Sequence, residues 1–199
     1  MKTEIPGTGN WCENIIIADG DYIDHVAFDL TVNFERMIGR RIPKADTARW
    51  IDCVALDGGL REGDNHTQVI LIHGKDKAGL EYFTPGNYAD DLDGKAFSDT
   101  LGEFLLSAYP VEEMVGAGDF LVDILEHACN HKDVRRVMVI PNAEDNALME
   151  DIRHALHRID ENKYVTLFAM QPTIGGNFRQ EILGYSLMNA LGIHADEVK

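Results

Sequence analysis

Positive charge is scarce in this chain. Its 199 residues carry 18 Lys and Arg against 34 Asp and Glu, a formal net charge of −16 at pH 7. Nucleic-acid binding rests largely on neutralising phosphates with Lys and Arg, so an average field of this sign opposes it. The only dense basic patch, Arg36 with Arg40, Arg41 and Lys44, reads as a solvated helix end, where cations meet the negative end of the helix dipole. Cysteine is sparse too. Cys12, Cys53 and Cys129 form an odd, widely spaced set without a CxxC pair, which excludes a disulfide framework and fits a reducing cytoplasm. No apolar run approaches the roughly 18 residues that a membrane span requires. The segment from Met1 to Asn10 is polar and holds Pro6, Gly7 and Gly9 rather than a signal peptide's apolar core. The expectation is a soluble cytoplasmic protein with no membrane partner.

Several catalytic signatures are missing. There is no Walker A pattern and no GxSxG nucleophile elbow, and Gly7-Thr8-Gly9 precedes any strand, outside the context of a dinucleotide fingerprint. Lone cysteines without an electropositive neighbourhood read as core thiols. Acyl transfer and redox catalysis therefore rank low.

What the chain does have is material for one core. With 45% hydrophobic residues, 199 residues fit one α/β domain spanning 1–199, with residues 1–12 as a flexible N-terminal segment. The run Asn14-Ile15-Ile16-Ile17-Ala18 reads as a strand buried on both faces, stopping at Asp19-Gly20-Asp21. Ile23, Val26, Ala27, Leu30, Phe34, Met37 and Ile38 recur at helical spacing up to Gly39, with Asp21 or Asp24 as the cap. Asp46 stands as N-cap of a second helix ending at Gly58-Gly59, and residues 68–72 form a second strand closed by His73-Gly74. Residues 75–99 show no period and read as a flap or a short edge helix.

The remaining strands are expected at residues 103–108, 134–140 and 164–170. The remaining helices are expected from Asp119, over residues 145–159 and over residues 178–191. Five strands alternating with helices, with no tight hairpin, predict a three-layer α/β/α fold with a mostly parallel five-stranded sheet. In such sheets ligands bind outside the carboxyl ends of the strands. With the first strand central, Asp19, Asp21, Asp119, Asp123, Glu144 and Asp145 are candidates to converge there.

This order of elements resembles the PIN-like nuclease superfamily, and its NYN branch in particular. The family's first strand commonly ends in Asp-Gly-Ser-Asn, against Asp19-Gly20-Asp21-Tyr22 here, which keeps the Asp-Gly and replaces the next two residues. The family's Val-Asp helix start is similar to Gly118-Asp119-Phe120-Leu121-Val122-Asp123, where either Asp119 or Asp123 fits the register. Its Ser-Gly-Asp-Ser-Asp-Phe loop is similar to Pro141-Asn142-Ala143-Glu144-Asp145-Asn146, with Ala143 in place of the first Asp and Asp145 matching the second. The resemblance implies Asp19, Asp119, Asp123 and Asp145 as metal ligands, with Asp21 and Glu144 in support. It further implies Mg²⁺ or Mn²⁺ as the metal, and a phosphodiesterase or RNase-like activity, whole or degenerate.

The chemistry is consistent with that reading. Carboxylates held together raise one another's pKa unless a hard divalent cation neutralises them, and that cation activates water toward a phosphodiester. RNA is the partner this implies and the net charge disfavours; a protein partner is the other. The competing reading is a non-catalytic α/β interaction or ligand-binding module. In it Asp19 bonds turn amides, Asp119 and Asp145 cap helices, and Asp123 is a surface charge.

Three further features are weaker. His127 and His131 share a helix face at the spacing of a zinc pair, yet read better as a helix C-terminus, and His154 with His157 as exposed helix residues. Gly175-Gly176 before the last helix offers amides to a phosphate or nucleotide, or is a loop and cap.

Overall fold

The computed structural model describes residues 10–114 and 116–198. The isoleucine run forms β1 (Asn14–Asp19), every residue of which is buried. It lies in the middle of a seven-stranded sheet, paired in parallel with β3 (His66–Gly74) on one side and with β7 (Arg136–Ile140) on the other. Outward from β3 come β6 (Gly102–Val111) and the antiparallel β5 (Ala96–Asp99). Outward from β7 come β8 (Tyr164–Ala169) and β9 (Arg179–Ile182), giving the order β5-β6-β3-β1-β7-β8-β9. A two-stranded ribbon joins β2 (Ala45–Asp46) to β4 (Phe83–Thr84).

Alternation along β1 divides the core. Ile16 and Ala18 belong to the cluster built with α1 (Gly20–Ile38), α2 (Thr47–Asp57) and α5 (Leu183–Ala190). Ile15 and Ile17 belong to the cluster built with α3 (Ala117–Asn130) and α4 (Asn146–Leu156). A strand with both faces covered needs the continuous β-branched run that the sequence carries. The chain first builds outward from β1 through β3 to β6, then crosses back through α3 to β7. That reversal makes the carboxyl ends of β1 and β7 a topological switch point, the usual place for a ligand in an open α/β sheet.

The seven-stranded sheet corrects the five expected. Both additional strands are edges with exposed side chains: β5 is mostly exposed, and β9, Arg179-Gln180-Glu181-Ile182, is the polar start of what the spacing suggested was a helix over residues 178–191. An edge strand facing water carries no hydrophobic alternation, so nothing distinguishes it from a loop. The expected absence of a tight hairpin is also corrected, since β5 and β6 are joined by Thr100 and Leu101 alone. Gly102 closes that turn at φ +115°, with a Cβ there lying 2.2 Å from the Asn65 carbonyl oxygen, so no side chain fits.

Capping also differs. Asp19, not Asp21 or Asp24, caps α1, accepting from the Tyr22 N–H at 3.0 Å. Asp46 and Asp145 cap α2 and α4 as expected, Asp145 accepting from both Ala147 and Leu148. The expected flexible segment over residues 1–12 lies for its first nine residues outside those described, while Trp11 is buried. Among the described residues no helix is long and apolar enough to cross a membrane.

Candidate functional site

The carboxyl edge of the sheet has two unlike halves. On the β3 side it is covered by residues 75–95, which bury Leu80, Phe83, Tyr88 and Leu92 beneath a polar exterior. Two carboxylates of α1 anchor this half of the edge, Asp21 at the last residue of β3 and Asp24 within the segment itself. Asp21 accepts from the Gly74 N–H at 2.8 Å, and Asp24 accepts from both Glu81 and Tyr82 N–H groups at 2.9 and 2.8 Å. Tyr88 stacks on His73 with ring centroids 3.7 Å apart and planes within 7°. His73 Nδ1 lies 2.9 Å from the Gly74 carbonyl, which assigns it the proton, and burial pushes the imidazole pKa below its ordinary value. Gly20 gives the Tyr88 hydroxyl its room: a Cβ at that position would sit 2.4 Å from the oxygen.

On the β7 and β8 side the edge is open. A pocket of about 530 Å³ lies there, with Tyr22, Glu144, Met149, Arg153, Met170 and Ile174 among its walls. Tyr22 comes from the first turn of α1, directly after the β1 end. Glu144 comes from the loop after β7, Met149 and Arg153 from successive turns of α4, and Met170 and Ile174 from the segment after β8. That segment is tied by a reciprocal amide pair, Thr173 N–H to Gln180 Oε1 at 2.8 Å and Gln180 Nε2 to the Thr173 carbonyl at 3.1 Å. The polar edge strand β9 thus fixes the rim.

Electrostatically the pocket has one carboxylate, Glu144, on its wall and another, Asp19, behind Tyr22. Asp19 is 8% exposed, and burial pushes its pKa up to about 6, against the lowering effect of the Tyr22 N–H and with help from the Asp21 charge. Tyr22 is 6% exposed and its hydroxyl has no hydrogen-bond partner among the described residues. Burial, followed by the charges of Glu144 and Asp19, pushes the phenol up to about 12, so it stays a neutral O–H. Arg153 donates to Glu150 at 2.7 Å, which balances its charge within one turn of α4.

The proposed metal ligands occupy separate places. Asp19 is spent on the α1 cap, Asp21 on the Gly74 amide and Asp145 on the α4 cap. Asp119 and Asp123 are exposed on α3, and neither lines the pocket. Asp119 does not cap α3, whose N-cap is Gly116. Of the acidic candidates only Glu144 lines the pocket, and its charge, with that of Asp19, acts on Tyr22. Among the described residues no three His, Cys, Asp or Glu side chains are grouped to hold a metal ion. As arranged, this donor set does not fit Mg²⁺ or Mn²⁺, which need several oxygen ligands around one point.

The weaker candidates resolve as structure. Gly175-Gly176 precedes a strand rather than a helix, with Gly176 bridged to Phe178, so its amides are not at a helix N-terminus. His127 donates from Nδ1 to the Asp123 carbonyl and His131 accepts from the Asp133 N–H, both around the end of α3. Arg40 of the basic patch bonds Glu197 at 2.7 Å and the Gly192 carbonyl, tying the end of α1 to the C-terminal turn. All three cysteines are free, and Cys129 is pushed up to about 12 by burial.

Tyr22, Arg153 and Met170 escaped sequence reasoning as site residues. Tyr22 alone carried a signal, standing three residues after a strand-end Asp, on the first turn of the helix that Asp19 caps. No curated protein and no solved structure matches this chain. A family model described as a family of unknown function, DUF6621, matches residues 8–198, and the chain belongs to that family.

Proposed function

We propose that this protein is a non-catalytic α/β module that binds a small organic ligand in the pocket at the ends of β1, β7 and β8. The observation that carries this reading is the buried Tyr22 hydroxyl: of the seven buried side-chain polar atoms without a partner among the described residues, it is the one whose residue belongs to this pocket's wall. Leaving a buried polar group unpaired costs about 1–3 kcal/mol, a cost that a ligand bonding the hydroxyl would offset. The pocket's volume of about 530 Å³ lies within the range that holds a cofactor-sized molecule. Its lining mixes the thioethers of Met149 and Met170 with the apolar side chains of Ala143, Ala169, Pro172 and Ile174 and a few polar groups, as ligand sites do.

The test is a thermal-shift screen of small molecules against the wild type and Tyr22→Phe. Ligands that raise the wild-type Tm should raise that of Tyr22→Phe less, although the variant is itself at least as stable as the wild type. If every stabilising compound acts equally on both, the pocket is not the site.

A metal-dependent phosphodiesterase of the PIN/NYN type is the second reading. It is supported by the place of Asp19 at the end of the central strand, beside the switch point, with Glu144 acting on the same phenol. It requires Asp119, Asp123 or Asp145 to leave the positions described above. Calorimetry with Mn²⁺ decides it: binding that Asp19→Asn abolishes would establish the metal site, and absence of binding to the wild type would exclude it.

A further inference from the structure

Resting on the ligand-binding reading, we infer that the occupant of this pocket is an organic cation, a protonated amine carried on an apolar body. The inference comes from which charges at the pocket are already answered and which are not. Arg153, the one cation on the pocket wall among the described residues, is held at 2.7 Å by Glu150, and its side chain is only 18% exposed. Its charge is thus partly answered before any ligand arrives, although that bond occupies one of its N–H groups. Glu144 is exposed on the same wall and makes no ion pair among the described residues. Behind it Asp19 adds a second carboxylate next to Tyr22, so both charges act on one phenol.

The phenol completes the amine's environment. With its proton retained it adds no charge of its own, and a small shift of the ring, whose oxygen is closed to water, lets a lone pair accept an ammonium hydrogen. An anion placed beside Glu144 would face that carboxylate with Asp19 behind it, while Arg153, the cation of the wall among the described residues, is already paired with Glu150, which is discrimination by repulsion.

The body of the ligand is read from the apolar side chains of the pocket. Met149 is buried, Met170 is half-buried, and Ile174 is 74% exposed at the mouth. Thioethers adapt their shape to a flat or irregular apolar partner, and an exposed isoleucine beside them extends that surface toward solvent. A ligand with its amine at Glu144 and its body against these three side chains covers the apolar wall and answers the unpaired carboxylate at once. The chain's net charge of −16 draws such a cation toward the protein from a distance.

The test uses three probes of one shape and different charge: tryptamine, tryptophol and indoleacetate, each titrated calorimetrically into the wild type, Glu144→Gln and Tyr22→Phe. Tryptamine should bind at least about ten-fold more tightly than tryptophol, and indoleacetate more weakly than either. Glu144→Gln, a change at an exposed position that leaves the circular dichroism spectrum intact, should erase the tryptamine advantage while leaving tryptophol unchanged. If tryptophol or indoleacetate binds as tightly as tryptamine and Tyr22→Phe weakens it, the cation assignment is wrong and the pocket reading stands. If no probe binds, the cation assignment is wrong, and the Tyr22→Phe comparison in the thermal-shift screen then decides the pocket reading by itself.

Discussion

Asp19 combines a helix cap with a carboxyl that the fold does not favour in its ionised form. Its pKa is about 6 in the native protein, against roughly 3.9 in an unfolded chain, so between those values the native state holds a proton that the unfolded state has lost. Stability from this group is therefore full below about pH 4 and falls as pH rises to about 6, by something on the order of 3 kcal/mol. Asp19→Asn keeps an oxygen for the Tyr22 N–H and removes the charge. The variant should be more stable than the wild type in urea melts near pH 8 and nearly equal to it near pH 4; an equal difference at both would mean that Asp19 ionises freely in the fold. Asp52, on α2 beside Asp99, works in the same direction, pushed up to about 7 by burial and then by its neighbour's carboxyl.

At the scale of elements, the segment over residues 75–95 depends on α1 more than on any period of its own. Asp24 takes two of its backbone N–H groups, so Asp24→Ala leaves both to water or unpaired, at a cost of about 1–3 kcal/mol. Hydrogen exchange should quicken across residues 78–92 and stay unchanged in β7 and β8; uniform quickening would mean that the segment and the sheet open together.

The same segment explains much of what was and was not legible in the sequence. Of its buried anchors, Leu80, Phe83, Tyr88 and Leu92, Phe83 lies in the two-residue β4 and Tyr88 and Leu92 end a single helical turn over Tyr88–Leu92, elements too short to show a period. The central strand and the apolar stripe of α4 were legible because a buried strand and an amphipathic helix each leave a period. Edges β5 and β9 leave none. In the site, the place of Asp19 was legible from the strand end. The use of Asp21 and Asp24 on distant amides was not, because it depends on partners 53 and 57 or more residues away. The meeting of Tyr22 with Glu144, Arg153 and Met170 follows from β7 and β8 being successive neighbours of β1, a fact of strand order.

At the scale of the whole molecule, charge dominates. A formal −16 on 199 residues means that carboxylates repel one another across the surface, and only a few ion pairs offset this among the described residues, most of them exposed. Sodium chloride raised from about 20 to about 300 mM should increase Tm by screening that repulsion. The same salt should weaken tryptamine binding, where it would have little effect on a neutral probe. A Tm that falls with salt would show that the attractive pairs outweigh the repulsion.

The contact between Gly20 and Tyr88 bears on how kinship is judged for this fold. Aspartate at position 19 starts a helix and glycine at position 20 clears space for a phenol. An Asp-Gly pair at the end of a first strand is therefore what local packing demands here, whatever the chain's ancestry. Two proteins can share that dipeptide through convergence on a steric need, and descent from a common nuclease has to be argued from residues that no neighbour requires.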